Sequence, residues 1–589
     1  MKDKYTAPRS TLLTVLLLLA AGFIMSGFSL ALSGRDGISW GGNPILYVLN
    51  TLPIMLCLFL VWLASGQAWL AHAITGVLIF LLTGGNYFKL IFRDDPVLWS
   101  DLHRLREGFK MSGQYHVTLT GTLALWIVVL AAVTVLLFFF GRGKPAAVPR
   151  LLTLTLVGMV AVICFYDIYP SNERYTVLAG DYAKNKTEAY TACGVVYPFF
   201  HSAGAYRESD ANYDEAAAQE RYNQYQDAPI PEEKKVNLIG LQLEAFADFS
   251  LFDIEGISDS VYADYHYLQS QSYTGTLVTD IFAGGTAESE WAVLTGGNIH
   301  DDFKVKTDTV AWYLKDQGYT ANGSHPCRAW FYDRANVNPN LGLDDYLFTD
   351  NYFNKYTDGD VVYDDVFFPD LEGRLTEYFK NNDAPLFSFN VTYQGHGPYN
   401  MEKTYWGSEY YNGPVQQSSQ NALNNYFHVI QDTSAHLVQF TEYLNALDEP
   451  VVLFMYGDHK PWMGNHGCIY EELGINMDTN TPDGFINYYS TQYVIWANDK
   501  AKEILGCDFQ GEGPMLSPCF LMNQIFEMCG WEGSAYMQGQ RETAHALPVL
   551  HTTGWVMENG TLTPTPSPRS QALIDDFQSL SRYDRTRFN

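Results

Sequence analysis

Residues 451–464 read VVLFMYGDHKPWMG: an apolar run closed by a glycine, an acid and an imidazole. A turn accounts for Gly457 and Asp458 but not for His459. A carboxylate next to an imidazole suits a divalent metal such as zinc or manganese. The glycine is expected to let the backbone turn so that both side chains converge. A second acid, Glu244, closes VNLIGLQLEAF, and His396 follows LFSFNVTYQG. Three strand-like runs therefore end on groups that could bind a cation or move a proton. A fourth stretch, DIFAGGTAESEWAVLTGG, places Thr286 after Gly284 and Gly285, ahead of a helical pattern. Two uses of that threonine share one geometry. It can cap the helix, or it can be a metal-activated nucleophile at a helix N-terminus whose amides hold a phosphate.

The elements that must position these groups alternate. Strand patterns at 236–246, 384–393, 450–458 and 491–499 are separated by helical patterns at 286–296, 308–319, 370–382 and 422–447. This order predicts an α/β domain with a mainly parallel sheet covered on both faces. Such sheets bind ligands at the carboxyl ends of their strands, where Glu244, His396, Asp458 and His459 fall.

The chain of 589 residues begins differently. Residues 11–33, 43–64, 68–92, 117–140 and 150–168 are long apolar runs, each near or above the ~20 residues that span a bilayer. A cleaved leader would explain only the first, so five transmembrane helices are expected. Lys2, Lys4 and Arg9, and then Arg142, Lys144 and Arg150, mark the cytoplasmic side; five spans then put everything beyond residue 170 outside. The connection 93–116 reads equally as an amphipathic surface piece or as a polar loop. The expected organisation is a membrane domain (1–170), a linker and leading helix (171–232), an outer catalytic domain (233–555) and a tail (556–589) with a mobile end.

Charge divides the same way. Residues 1–170 carry 12 Lys+Arg against 7 Asp+Glu, a balance of +5; the remainder carries 24 against 58, a balance of −34. A polyanionic outer half argues against a nucleic-acid partner and is compatible with bound cations. None of the eight cysteines lies in a CxxC pair, so structural zinc is not expected, while disulfides and free thiols stay open.

Five spans followed by LIGLQLEAFADF, GGTAESEWAVLTG, SHPCRAWFYDRANVNPNLGLDDY, VTYQGHGPY, YGDHKPWMG and YVIWAND, in this order, resemble the lipoteichoic acid synthase family of the alkaline phosphatase and sulfatase superfamily. The resemblance implies Glu244, Thr286, Asp458 and His459 as metal ligands, with Thr286 also the nucleophile. The implied metal is manganese, with magnesium and zinc as alternatives. His325, Tyr332 and Arg334 match the segment that holds glycerol phosphate, and His396 a histidine beside the transferred phosphate. Cys327 departs from the pattern, standing where a second acidic contact can occur. The implied activity is a membrane phosphoglycerol transferase, passing glycerol phosphate from phosphatidylglycerol to a glycerol-phosphate polymer or a glycan through a phospho-threonine intermediate. A phosphoethanolamine transferase is the nearest rival. A sulfatase is disfavoured because Thr286 is followed by Ala-Glu-Ser rather than a C/S-x-P-x-R setting. A silent outer-surface binding protein would have no need of Thr286 and its ligands together.

Overall fold

The computed structural model describes residues 6–33, 44–93, 96–104, 120–143, 147–179, 186–211, 213–298, 303–464 and 467–587. It divides after Tyr213 into two compact units.

The first unit is helical. Helices α1 (Thr6–Ala31), α2 (Pro44–Ser65), α3 (Ala68–Arg93), α4 (Gly121–Phe140) and α5 (Ala147–Ile163) carry the five apolar runs. Five spans are long and apolar enough to cross a membrane: Thr11–Ala31, Pro44–Ser65, Ala68–Ile91, Gly121–Phe140 and Arg150–Ile168. Large apolar side chains such as Leu125, Val128, Phe139, Leu151 and Leu156 stand exposed on them, as lipid-facing residues must. The stretch after residue 170, expected as a linker, is ordered as three more short helices up to Ala211. Asn50 on α2 pins their backbone: its Nδ2 donates to Cys193 O (2.6 Å), and its Oδ1 accepts from Val196 N and Tyr197 N. These helices are too short and polar to announce themselves by periodicity. Most of the 93–116 connection lies outside the described residues; its described part includes a short 3₁₀ turn, Trp99–Arg104.

The second unit is built on a seven-stranded sheet of β1 (Asn237–Leu243), β2 (Tyr273–Val278), β3 (Thr320–Ser324), β4 (Leu386–Val391), β5 (Val451–Gly457), β6 (Ser490–Ala497) and β7 (Gly511–Glu512). Their order is β3-β4-β1-β5-β6-β2-β7. The four neighbours β3, β4, β1 and β5 are parallel; β6 runs antiparallel to both β5 and β2. Alternate residues enter separate cores. Leu238, Phe389, Phe454 and Ile495 pack on one face, and Ile239, Leu241, Leu453 and Val494 on the other. Burial on both faces is why the central strands read as continuous apolar runs.

The first face is covered by α7 (Thr286–Thr295), preceded in the chain by α6 (Glu215–Tyr222). The second is covered by α8 (Asp364–Asn381) and α9 (Gln417–Asn445). Three strands of the sheet escaped the sequence reading, among them the two-residue β7. β3, Thr-Ala-Asn-Gly-Ser, is an edge strand with no apolar run, and β2, Tyr-Thr-Gly-Thr-Leu-Val, is only half-buried. The C-terminal segment is folded as far as Arg587. After α10 (Ala535–Ala546) comes the pair β8 (Val556–Glu558) and β9 (Thr561–Thr563), then α11 (Pro568–Arg587). Ile574, Phe577 and Leu580 of α11 are buried at helical spacing. The eight cysteines, all within the described residues, form no disulfide.

Candidate active site

Register brings the two acids together. β1 and β5 are parallel with Leu243 opposite Gly457, so Glu244 and Asp458 leave adjacent strands at the same level. Gly457 is needed there for contact rather than for a turn. A Cβ on it would lie 1.9 Å from Phe246 O, so only glycine lets β5 approach the chain leaving β1. That chain turns at once, with Ala245 at a φ of 50°, and Ala245 N donates to Asp458 Oδ1 at 2.8 Å. His459 N donates to the same oxygen at 2.8 Å.

The third element is α7. Gly285, at a φ of 87°, precedes its first residue, Thr286. The Thr286 hydroxyl does not cap the helix; it donates to Glu244 Oε2 at 3.2 Å. Backbone and side-chain bonds hold the helix in place. Gln242 Nε2 donates to Thr286 O (2.9 Å), the Tyr456 hydroxyl to Gln242 Oε1 (2.6 Å), and Ser289 Oγ to Asp458 O (2.7 Å).

One ligand atom each from Glu244, Asp458 and His459 lies within 4.8 Å of the others, and all three residues are buried. His459 Nδ1 bonds to Lys460 O at 2.9 Å, which leaves the Nε2 lone pair facing Asp458 Oδ2 (3.4 Å) and Glu244 Oε1 (3.7 Å). Asp458 Oδ2 and His459 Nε2 are both buried without a hydrogen-bond partner. Burial pushes the Asp458 carboxyl up, while the His459 imidazole, the Ala245 amide, the Thr286 hydroxyl and the His459 amide pull it down. Two buried carboxylates, a turned-in imidazole nitrogen and orphaned ligand atoms fit a divalent cation.

The residues implied by resemblance adjoin this cluster. His325 follows β3, the neighbour of β4. Its Nδ1 meets Val391 O at 3.1 Å, and burial first, then Arg334, holds its imidazole well below the usual range. His396, beyond β4, stacks on Tyr393 at 4.9 Å. The Tyr332 hydroxyl accepts from Gly285 N at 3.1 Å, beside the helix that Thr286 begins. Arg334 is 1% exposed, and its guanidinium forks onto Glu290, one turn beyond Thr286: Nε and an Nη each lie within 2.9 Å of Oε2. Cys327 is buried, its thiol pushed up to about 12 chiefly by burial.

Glu290 and Lys460 were not foreseen. Nothing in TAESEW distinguishes buried Glu290 from Glu288. Lys460, expected in an exit loop, is 3% exposed, donates through Nζ to Ser490 O, and is pulled down to about 7 by burial.

Residues 238–530 of the chain match the Sulfatase family. It is 23% identical over 339 residues to a Rhizobium meliloti (strain 1021) protein named for cyclic beta-1,2-glucan modification, covering 53% of this chain and 51% of that protein. The chain thus spans about half the length of that relative. It is 25% identical over 446 residues to the capsular polysaccharide biosynthesis protein RkpI of the same organism, covering 70% and 77%. Among solved structures, the integral membrane lipooligosaccharide phosphoethanolamine transferase A of Neisseria meningitidis shares its fold, with a TM-score of 0.53 at 14% identity over 87% of this chain and 95% of that one. The described chain thus joins five helices long and apolar enough to cross a membrane to a unit that matches the Sulfatase family.

Proposed function

We propose that the chain is a phosphoglycerol transferase of the cell membrane, its catalytic domain outside, moving glycerol phosphate from phosphatidylglycerol to a glycan or glycerol-phosphate polymer. The observation that carries this reading is the Thr286 hydroxyl, held on Glu244 beside Asp458 and His459. Glu244, Thr286, Asp458 and His459 would hold one divalent cation, manganese by the family resemblance. When bound, the cation would lower the hydroxyl's pKa and offset phosphate charge.

Thr286 Oγ1 attacks the phosphorus and its proton passes to Glu244, the acceptor it already faces. The bond to the diacylglycerol oxygen breaks, and that oxygen takes a proton from His396. His325, kept neutral by burial, is suited to accept from a glycerol hydroxyl at Nε2. Tyr332 lies against the amide of Gly285, and Arg334, anchored by Glu290, supplies positive charge near the phosphate. The acceptor hydroxyl then gives its proton to His396 and attacks the phospho-threonine, and Thr286 recovers its hydrogen. The relatives' names, glucan modification and capsular polysaccharide biosynthesis, support a glycan acceptor. The cationic flanks of the spans support the outward orientation.

The test incubates the full chain, in detergent with manganese, with fluorescent phosphatidylglycerol. Wild type is expected to release diacylglycerol, with glycerol phosphate trapped on Thr286 when acceptor is omitted. Thr286→Ala is expected to lose turnover by on the order of a thousandfold or more. Release only from phosphatidylethanolamine would replace phosphoglycerol by phosphoethanolamine transfer; no release from either lipid would sink the reading.

A further inference from the structure

Beyond His396, the loop 398–416 and the first turns of α9 line an open surface depression of about 540 Å³. Its lining is unlike a phosphate site. Thr404, Ser408, Asn412, Gln417 and Gln420 present hydroxyls and carboxamides, Glu409 adds a carboxylate, and no Lys or Arg is among the lining residues. The carboxamides form a braced lattice. Gln417 Nε2 donates to Asn421 Oδ1 (3.1 Å), and Gln420 Nε2 to Asn412 Oδ1 (3.2 Å). Deeper in, Asn424 Nδ2 donates to Tyr411 O (2.9 Å), and Asn425 Nδ2 to Asn400 O and Lys403 O. The bracing uses the amide nitrogens and leaves the carbonyl oxygens of Gln417 and Gln420, with the two hydroxyls, open to a ligand.

In the same loop stand two adjacent exposed aromatics, Tyr405 and Trp406, at 54% and 51% exposure. Trp406 is not a loose side chain. One face lies flat on His428 of α9 at 4.6 Å and 17°, and Tyr405 meets its edge at 5.6 Å. A rigid indole beside neutral acceptors and hydroxyls has the chemistry that sugars require. Their C–H faces stack on aromatic rings and their hydroxyls donate to carbonyl and carboxylate oxygens; the lining itself carries an acid and no cation, while Lys403 Nζ nearby is seated over the Tyr405 ring at 4.7 Å.

We propose that this depression and Trp406 bind a neutral saccharide chain. Calling that saccharide the acceptor rests on the transfer reading above; of its two acceptor classes, the depression selects the glycan over the glycerol-phosphate polymer.

The test measures binding by the full chain in detergent, calorimetrically, with a panel of neutral hexaoses in gluco, galacto and manno configurations and with a glycerol-phosphate hexamer. At least one hexaose is expected to bind. Trp406→Ala and, separately, Gln420→Ala are expected to weaken it about tenfold or more, with unfolding temperatures unchanged. Thr286→Ala is expected to keep the wild-type affinity. Hexaose binding without any lipid turnover would remove the transfer reading and leave the saccharide site standing. No binding by wild type, or affinity untouched in both variants, overturns the site.

Discussion

Asp458 Oδ2 and His459 Nε2 face each other across 3.4 Å with neither hydrogen-bonded. Leaving buried polar atoms unpaired costs about 1–3 kcal/mol each, and the second carboxylate, Glu244, adds charge to the same space. A bound cation relieves all three, so its binding should appear as stability. Manganese at a hundred times its Kd is expected to raise unfolding stability by about 2.7 kcal/mol. In thermal melts of the full chain Asp458→Asn should abolish that shift, and a chelator should remove it from wild type. A wild-type melt indifferent to manganese and chelator alike would contradict the cage.

The Arg334–Glu290 pair instead sets opposite charges against each other at 1% and 0% side-chain exposure, with Glu290 Oε1 and Arg334 Nη2 buried and without a hydrogen-bond partner. Removing one partner strands the other in a dry interior. Glu290→Ala is expected to cost about 3–5 kcal/mol in denaturant unfolding, whereas Glu290→Leu with Arg334→Met should recover most of that stability but not turnover. Recovery of turnover by the double variant would show that the arginine acts only as packing.

At the scale of elements, the site depends on where strands stop. β3, β4, β1 and β5 are parallel neighbours, and His325, His396, Glu244 and the Asp458–His459 pair follow them in that spatial order. α8 illustrates a different element-scale cost. Its first residue, Asp364, is buried with Oδ1 unpartnered, Oδ2 accepts from Thr433 Oγ1 at 2.6 Å, and burial raises its carboxyl to about 7. The folded state therefore holds this proton where the unfolded chain, with an ordinary carboxyl near 3.9, has lost it. Stability falls as pH rises from about 4 to about 7 and stays low above. Asp364→Asn, which keeps the oxygen facing Thr433, should raise the melting temperature more at pH 8 than at pH 4.5. An equal gain at both pH values would mean that the carboxyl is not buried as described.

At the scale of the molecule, the division after Tyr213 separates an apolar unit from one with its own two-sided core. Residues 214–589 produced alone are expected to fold and to process a short-chain, water-soluble phosphatidylglycerol. They should lose most turnover of the same headgroup in vesicles, because the membrane spans concentrate the enzyme at its donor. Assays in both lipid forms check this; equal loss in both would tie catalysis itself to the first unit.

Composition and order alone were enough to reveal the five spans, since no soluble core requires five apolar runs of that length. They also revealed the central strands, because β1 and β5 are buried on both faces and so are apolar throughout. Glu244, Asp458 and His459 were legible because polar residues closing such runs are conspicuous. His325, Tyr332 and Arg334 were legible only through the family resemblance, since β3 has no strand-like pattern of its own. What the tertiary structure decided was pairing. Only the register of β1 on β5 sets Glu244 beside Asp458, and only the packing of α7 turns the Thr286 hydroxyl onto Glu244 rather than into its own helix. The same packing buries Glu290 and Lys460, whose neighbours in the chain look no different. Burial and partnership between residues far apart in sequence are properties of the folded chain, and local spacing carries no record of them.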